Sequence, residues 1–179
     1  MYRINKLLEI NRHIFHTNDL AILWGMENRH NLYMTISRYL DKGILFQVHK
    51  GLYSTIPISE LDPLDLGPAI IHRYTYLSTE SVLSIAGVVS QAIYDYTFVA
   101  GISKRISVGK WSFRYRQMKP EFLYHPEGIE HQGDRLIASV ERAAADLLYY
   151  DPQYHFDIPE IIDFEKVREI QEKVGYGRD

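Results

Sequence analysis

The sequence predicts an α+β protein in two domains, residues 1–56 and 57–179. Three observations carry this. Apolar residues fall at helical spacing through the first forty or so positions and give way at once to two strand-forming runs. A proline-rich, acidic break, PISELDPLDLGP, follows at 57–68. Beyond it, extended runs are mixed with helical stretches.

In the segment 2–12, Ile4, Leu7, Leu8 and Ile10 fall mostly on one side of a short helix. In HTNDLAILWG, Thr17 or Asn18 can cap a second helix whose apolar face is Leu20, Ala21, Leu23 and Trp24, and Gly25 ends it. The run NRHNLYMTISRYLDKG reads as a third helix closed by Gly43. Leu32, Ile36, Tyr39 and Leu40 cluster on its core side, and His30, Asn31, Met34, Ser37 and Arg38 lie opposite. Ile44 to Val48 and Leu52 to Ile56 are strand-forming, and His49, Lys50 and Gly51 between them suggest a tight hairpin. Helix, helix-turn-helix and hairpin in this order make a winged helix-turn-helix.

The second domain is expected to be mixed α+β. A short helix near Leu64 to His72 leads into an extended TYLS and then a helix from Thr79 to Ala86, capped by Ser78 or Thr79. Extended stretches follow at 96–99, 104–108 and 112–118. Amphipathic helices close the chain at 139–149 and 164–174.

Charge is unevenly placed. The whole chain carries a net −3, but residues 1–55 hold seven Lys or Arg against four Asp or Glu, while the remainder holds thirteen against nineteen. A mildly basic head on an acidic body suits a DNA-contacting module joined to a domain with another task. With no cysteine, disulfides and thiolate metal sites are excluded. No apolar run reaches the length of a membrane span and no signal peptide is evident, so the expectation is a soluble cytoplasmic protein with no membrane partner.

On the third helix, Arg29, His30, Asn31, Ser37 and Arg38 supply the hydrogen-bonding chemistry that reads base edges in a major groove, Arg to guanine and Asn to adenine. The same residues would also suit the solvated face of an ordinary bundle. The hairpin directly after the helix favours DNA, because His49 and Lys50 at its tip could reach a flanking phosphate. A second cationic feature is KRISVGKWSFRYRQMK, with Lys104, Arg105, Lys110, Arg114, Arg116 and Lys119 and no acid. Alternation puts Trp111, Phe113 and Tyr115 on one side of a strand and Ser112, Arg114 and Arg116 on the other. The cations are candidates for a nucleic-acid or partner surface, against the alternative of a solvated outer face.

His13 and His16 stand near one another without a third ligand, and no HExxH, phosphate loop, GxSxG or cysteine nucleophile occurs. Glu141 and Asp146 sit about 140° apart on a helical wheel and do not converge. Asp151, Asp157 and His155 could join Asp146 in a metal-dependent nuclease, but Asp151 before Pro152 reads more simply as a turn residue. No catalytic site, metal or cofactor is expected.

The runs TNDLAILWG, SRYLDKGILFQVHKGLYS, AGVVSQ and SVERAAADLLYYD together resemble the AbiEi-type antitoxins and related winged helix-turn-helix regulators. The likeness is most specific at RYLDKGIL…KGLY and ERAAADLLY. It implies a type IV toxin-antitoxin system acting in abortive infection, in which the antitoxin represses its own operon at inverted repeats and counters a nucleotidyltransferase-like toxin. In the best-known branch it does so without stably binding the toxin. The winged domain would repress, and the C-terminal domain would carry most of the antitoxic function. The resemblance maps the recognition helix to 29–42 and the wing tip to 49–51. The alternative is a stand-alone transcriptional regulator whose C-terminal domain senses a ligand or dimerises.

Overall fold

A computed structural model describes residues 3–10, 12–90 and 94–176. It is α+β and packs as two compact units, 1–70 with 108–110, and 71–107 with 111–179. Residues 57–70, expected to open the second domain, pack with the first unit.

The first unit contains α1 (Arg3–Leu8), β1 (Ile14–His16), α2 (Thr17–Trp24), α3 (Arg29–Asp41), β2 (Phe46–His49), β3 (Leu52–Ser54) and α4 (Pro63–Ile71). Of the expected first helix, Tyr2 and Asn11 lie outside the described residues, and the helix stops at Leu8. The strand β1 was not expected. It pairs antiparallel with β3, which also pairs antiparallel with β2, giving the order β1-β3-β2. Three residues show too little alternation to signal a strand, and Ile14 and Phe15 are both buried.

Leu7, Phe15, Leu20, Trp24, Leu32, Ile36, Leu45 and Tyr53 form one core, with Tyr39 and Leu40 packed against it. Each fully buried aliphatic or aromatic side chain here contributes about 1.5–3 kcal/mol. Trp24 and Tyr39 meet edge to face at 5.4 Å between centroids, fixing α2 against α3. Neither Thr17 nor Asn18 caps α2. His16 is its N-cap, and its backbone N–H donates to Asp19 Oδ2 at 2.8 Å. Gly25 closes α2 at φ 61°, a left-handed conformation that glycine adopts without a side-chain penalty.

The second unit is a six-stranded sheet in the order β6-β7-β5-β4-β9-β8. Its strands are β4 (Thr75–Leu77), β5 (Asp95–Ala100), β6 (Lys104–Val108), β7 (Trp111–Gln117), β8 (Ile129–Gln132) and β9 (Arg135–Ala138). The helix α5 (Thr79–Ile85) rests on β5, and α7 (Val140–Tyr150) rests on β9 and on α5, so the two form one helical layer over the sheet. The helix α8 (Phe164–Val174) extends it from α7, and a four-residue helix, α6 (Pro120–Leu123), follows β7. The expected extended runs and the two long helices correspond to β4 to β7, α7 and α8, while α6, β8 and β9 were not foreseen.

The sheet is mixed: β5 pairs parallel with β7 and antiparallel with β4, and β4 pairs parallel with β9. On one face Phe98 stacks on Tyr115 and lies tilted against Phe113, all three buried. On the other face, between Tyr76 and α7, lies an ion pair with no exposed surface. Arg142 and Asp146, one helical turn apart on α7, are both 0% exposed and meet at 2.8 Å. All five guanidinium N–H groups are used, Nε on Asp146, Nη1 on the carbonyls of His125 and Glu127, and Nη2 on Tyr76 Oη and the Phe122 carbonyl. Asp146 accepts in addition from the hydroxyls of Ser78 and Tyr176. Burial alone would lower the Arg142 pKa, but the carboxylate beside it raises it above its ordinary value, so the guanidinium stays charged.

Candidate nucleic-acid interface

The helix α3 is entered through the tight turn at Gly25 and started by Asn28, whose side-chain oxygen accepts the Asn31 backbone N–H at 3.1 Å. Leu32, Thr35 and Ile36 face inward. Arg29, His30, Asn31, Ser37 and Arg38 are all exposed. Arg38 Nη2 donates to Thr35 Oγ1 at 3.3 Å, and that hydroxyl donates in turn to the Asn31 carbonyl at 2.9 Å. The contact sets the direction in which the Arg38 guanidinium leaves the helix and leaves most of its donors to solvent. Tyr33 and Met34 are each 52% exposed beside this polar set. Tyr33 belongs to neither the core side nor the polar face expected of this helix from its sequence, and its offset from Leu32 and Ile36 puts it outside the inward arc.

The hairpin β2-β3 follows α3 closely, with Ile44 N–H donating to the Tyr39 carbonyl at 2.9 Å. Its turn holds Lys50, exposed, and Gly51 at φ 72°, with His49 half-buried just before it. The turn is anchored. The Gly51 carbonyl accepts the Thr17 backbone N–H at 3.0 Å and the Thr17 hydroxyl at 3.3 Å. The start of α2 and the hairpin tip are thus held together within the same unit.

His16, considered above beside His13, is structural: its Nε2 lies 2.8 Å from the Ala69 carbonyl and its Nδ1 3.4 Å from Asp19. His13 Nδ1 lies 3.1 Å from the Thr55 hydroxyl. Among the described residues no group of three or more His, Cys, Asp or Glu could hold a metal ion. Burial would raise the Asp19 pKa, but the His16 N–H and the Arg12 guanidinium at 2.6 Å outweigh it and hold the carboxyl below its ordinary range.

In the second unit the basic stretch separates into parts. Phe113 and Tyr115 are buried and Arg114 exposed, as the alternation predicts. Arg116 is not a surface cation. Its guanidinium pairs with Glu80 and lies 5.1 Å over the Tyr150 ring, with only 14% of its side chain exposed. Lys110 is exposed at the turn between β6 and β7, in the segment that groups with the first unit. Lys104, Arg105 and Arg114 gather with Ser103 and Tyr115 around one depression.

The carboxylates weighed for catalysis are dispersed. Asp146 is sealed in the Arg142 pair, Asp151 accepts the Gln153 N–H in a turn, and Asp157 accepts the N–H and hydroxyl of Ser90. No helix among the described residues is long and apolar enough to cross a membrane. Compared with known proteins, the chain matches no family model, and no curated protein matches it in sequence.

Proposed function

We propose that residues 1–56 act as a winged helix-turn-helix that binds double-stranded DNA through α3 and the β2-β3 turn. In this reading the chain is a cytoplasmic, non-enzymatic antitoxin that represses its own operon and counters a nucleotidyltransferase-like toxin. The observation that supports DNA binding best is the joint exposure of Arg29, His30, Asn31, Ser37 and Arg38 on a helix entered through a glycine turn and followed by an anchored hairpin carrying Lys50. The antitoxin role rests on the resemblance at RYLDKGIL…KGLY and ERAAADLLY. If the chain binds as a dimer, its operator is an inverted repeat with half-sites about 10 base pairs apart or a multiple of that.

Fluorescence anisotropy with the promoter duplex upstream of the chain's own gene tests the DNA reading. Arg38→Ala should weaken binding by about 1–3 kcal/mol if that residue reads a base edge, and by less if it touches phosphate. Unchanged affinity after joint replacement of Arg29, Asn31 and Arg38 by alanine would sink the assignment of α3.

A second reading, a stand-alone regulator with a ligand-sensing C-terminal domain, draws support from the cation-lined depression in the second unit. An adjacent nucleotidyltransferase-like gene whose toxicity this chain relieves would favour the antitoxin. Its absence would favour the regulator.

A further inference from the structure

The strands β6 and β7 are neighbours at one edge of the six-stranded sheet, and the depression on them is lined by Ser103, Lys104, Arg105, Arg114 and Tyr115. Its cations are only partly neutralised. Arg105 pairs with Asp95 at 2.5 Å, whereas Lys104 and Arg114 have no ion-pair partner among the described residues. Three cations held in one concavity against one carboxylate repel one another, and a bound anion would relieve the repulsion.

Guanidinium groups match phosphate oxygens in paired hydrogen bonds, and the Lys104 ammonium and Ser103 hydroxyl add further donors on the same rim. The size of the anion is constrained by what surrounds the site. Apart from the stretch 104–119, residues 56–179 carry seven Lys or Arg against nineteen Asp or Glu. A long polyanion running beyond the depression would meet that acidic background, whereas a compact one would not.

We propose that this depression binds a small polyphosphate, such as the diphosphate or triphosphate group of a nucleotide. Arg114 and Lys104 supply the uncompensated charge, and Arg105 is oriented by Asp95. The proposal does not depend on the reading of α3, since the residues involved belong to the second unit, and either can fail alone.

Isothermal titration calorimetry of the full chain at low salt, with inorganic pyrophosphate, a nucleoside triphosphate and a single-stranded oligonucleotide as separate probes, tests it. Pyrophosphate and the triphosphate should each saturate one site. Arg114→Ala and Lys104→Ala should each weaken binding about tenfold or more, as loss of a charge-assisted hydrogen bond does. The exposed Lys166 gives the control, and Lys166→Ala should bind as the parent does. If Arg114→Ala fails to fold by circular dichroism, Arg114→Lys keeps the charge, loses the paired geometry, and should bind with intermediate affinity. Absence of binding by either polyphosphate up to millimolar concentration would overturn the proposal. So would full affinity in the Arg114 and Lys104 variants, or an oligonucleotide that binds this site more tightly than the compact probes.

Discussion

Removing one partner of the Arg142–Asp146 pair leaves a charge with no water to answer it. Arg142→Met should therefore destabilise the chain by about 3–5 kcal/mol, measured by urea unfolding, because Asp146 stays buried and unpaired. The double variant Arg142→Met with Asp146→Leu should recover part of that loss, since replacing both charges removes the desolvation cost together with the attraction. Asp19 gives a pH-dependent counterpart in the first unit. Its pKa is depressed below the ordinary 3.8, so its contribution is present above that value and is lost as pH falls through the still lower folded-state pKa. The unfolding midpoints of the parent and of Asp19→Asn should differ at neutral pH and converge in strong acid. Neither role was legible in the sequence. Asp146 appeared there as a candidate metal ligand, because nothing local shows that residues from β4, α6 and the turn after α8 converge on this pair. Asp19 was passed over because the cap it serves, His16, is an unusual one.

At the level of elements, the α2-α3 pair and the hairpin could be read from the chain because each carries its own punctuation: apolar residues three and four apart, glycines at 25, 43 and 51, and strand runs on either side of a short polar turn. The strands β1, β8 and β9 could not, since three or four residues hold too few periods to signal anything. Ser78 also misled. It sits at the N-cap of α5, but its hydroxyl is spent on Asp146 at 2.7 Å, and Thr79 takes φ 52°, a conformation β-branched residues rarely adopt. The loop before β8 makes a sharper demand. Gly128 has φ 70°, and a Cβ there would lie 2.7 Å from Arg142 Cβ. Gly128→Ala should lower the melting temperature, with roughly 1–2 kcal/mol from backbone strain alone and more from the clash. A Tm equal to that of the parent would mean that the loop shifts to make room.

Over the whole molecule, a net −3 hides a basic head and an acidic body, and this division was legible from counting alone. It gives an expectation for the proposed DNA complex. With only a few cations on α3 and the hairpin, the logarithm of affinity should fall with the logarithm of salt concentration at a slope of about −3 to −4. A slope near zero would argue that the contacts are not to phosphates. The basic stretch was legible only as a run of charge. Its division into an Arg116 held by Glu80, a turn lysine and a gathered trio depends on Glu80 of α5, 36 residues from Arg116, and on how the sheet brings β5, β6 and β7 side by side.

The position of β6 carries one more consequence. As the outermost strand among the described residues, it presents a sheet edge, the kind on which another molecule's strand can add. Lys104 and Arg105, both exposed, discourage this by repelling their counterparts on a second copy. Replacing both with serine should raise light scattering during concentration or refolding, so the same two side chains would guard the chain against aggregation.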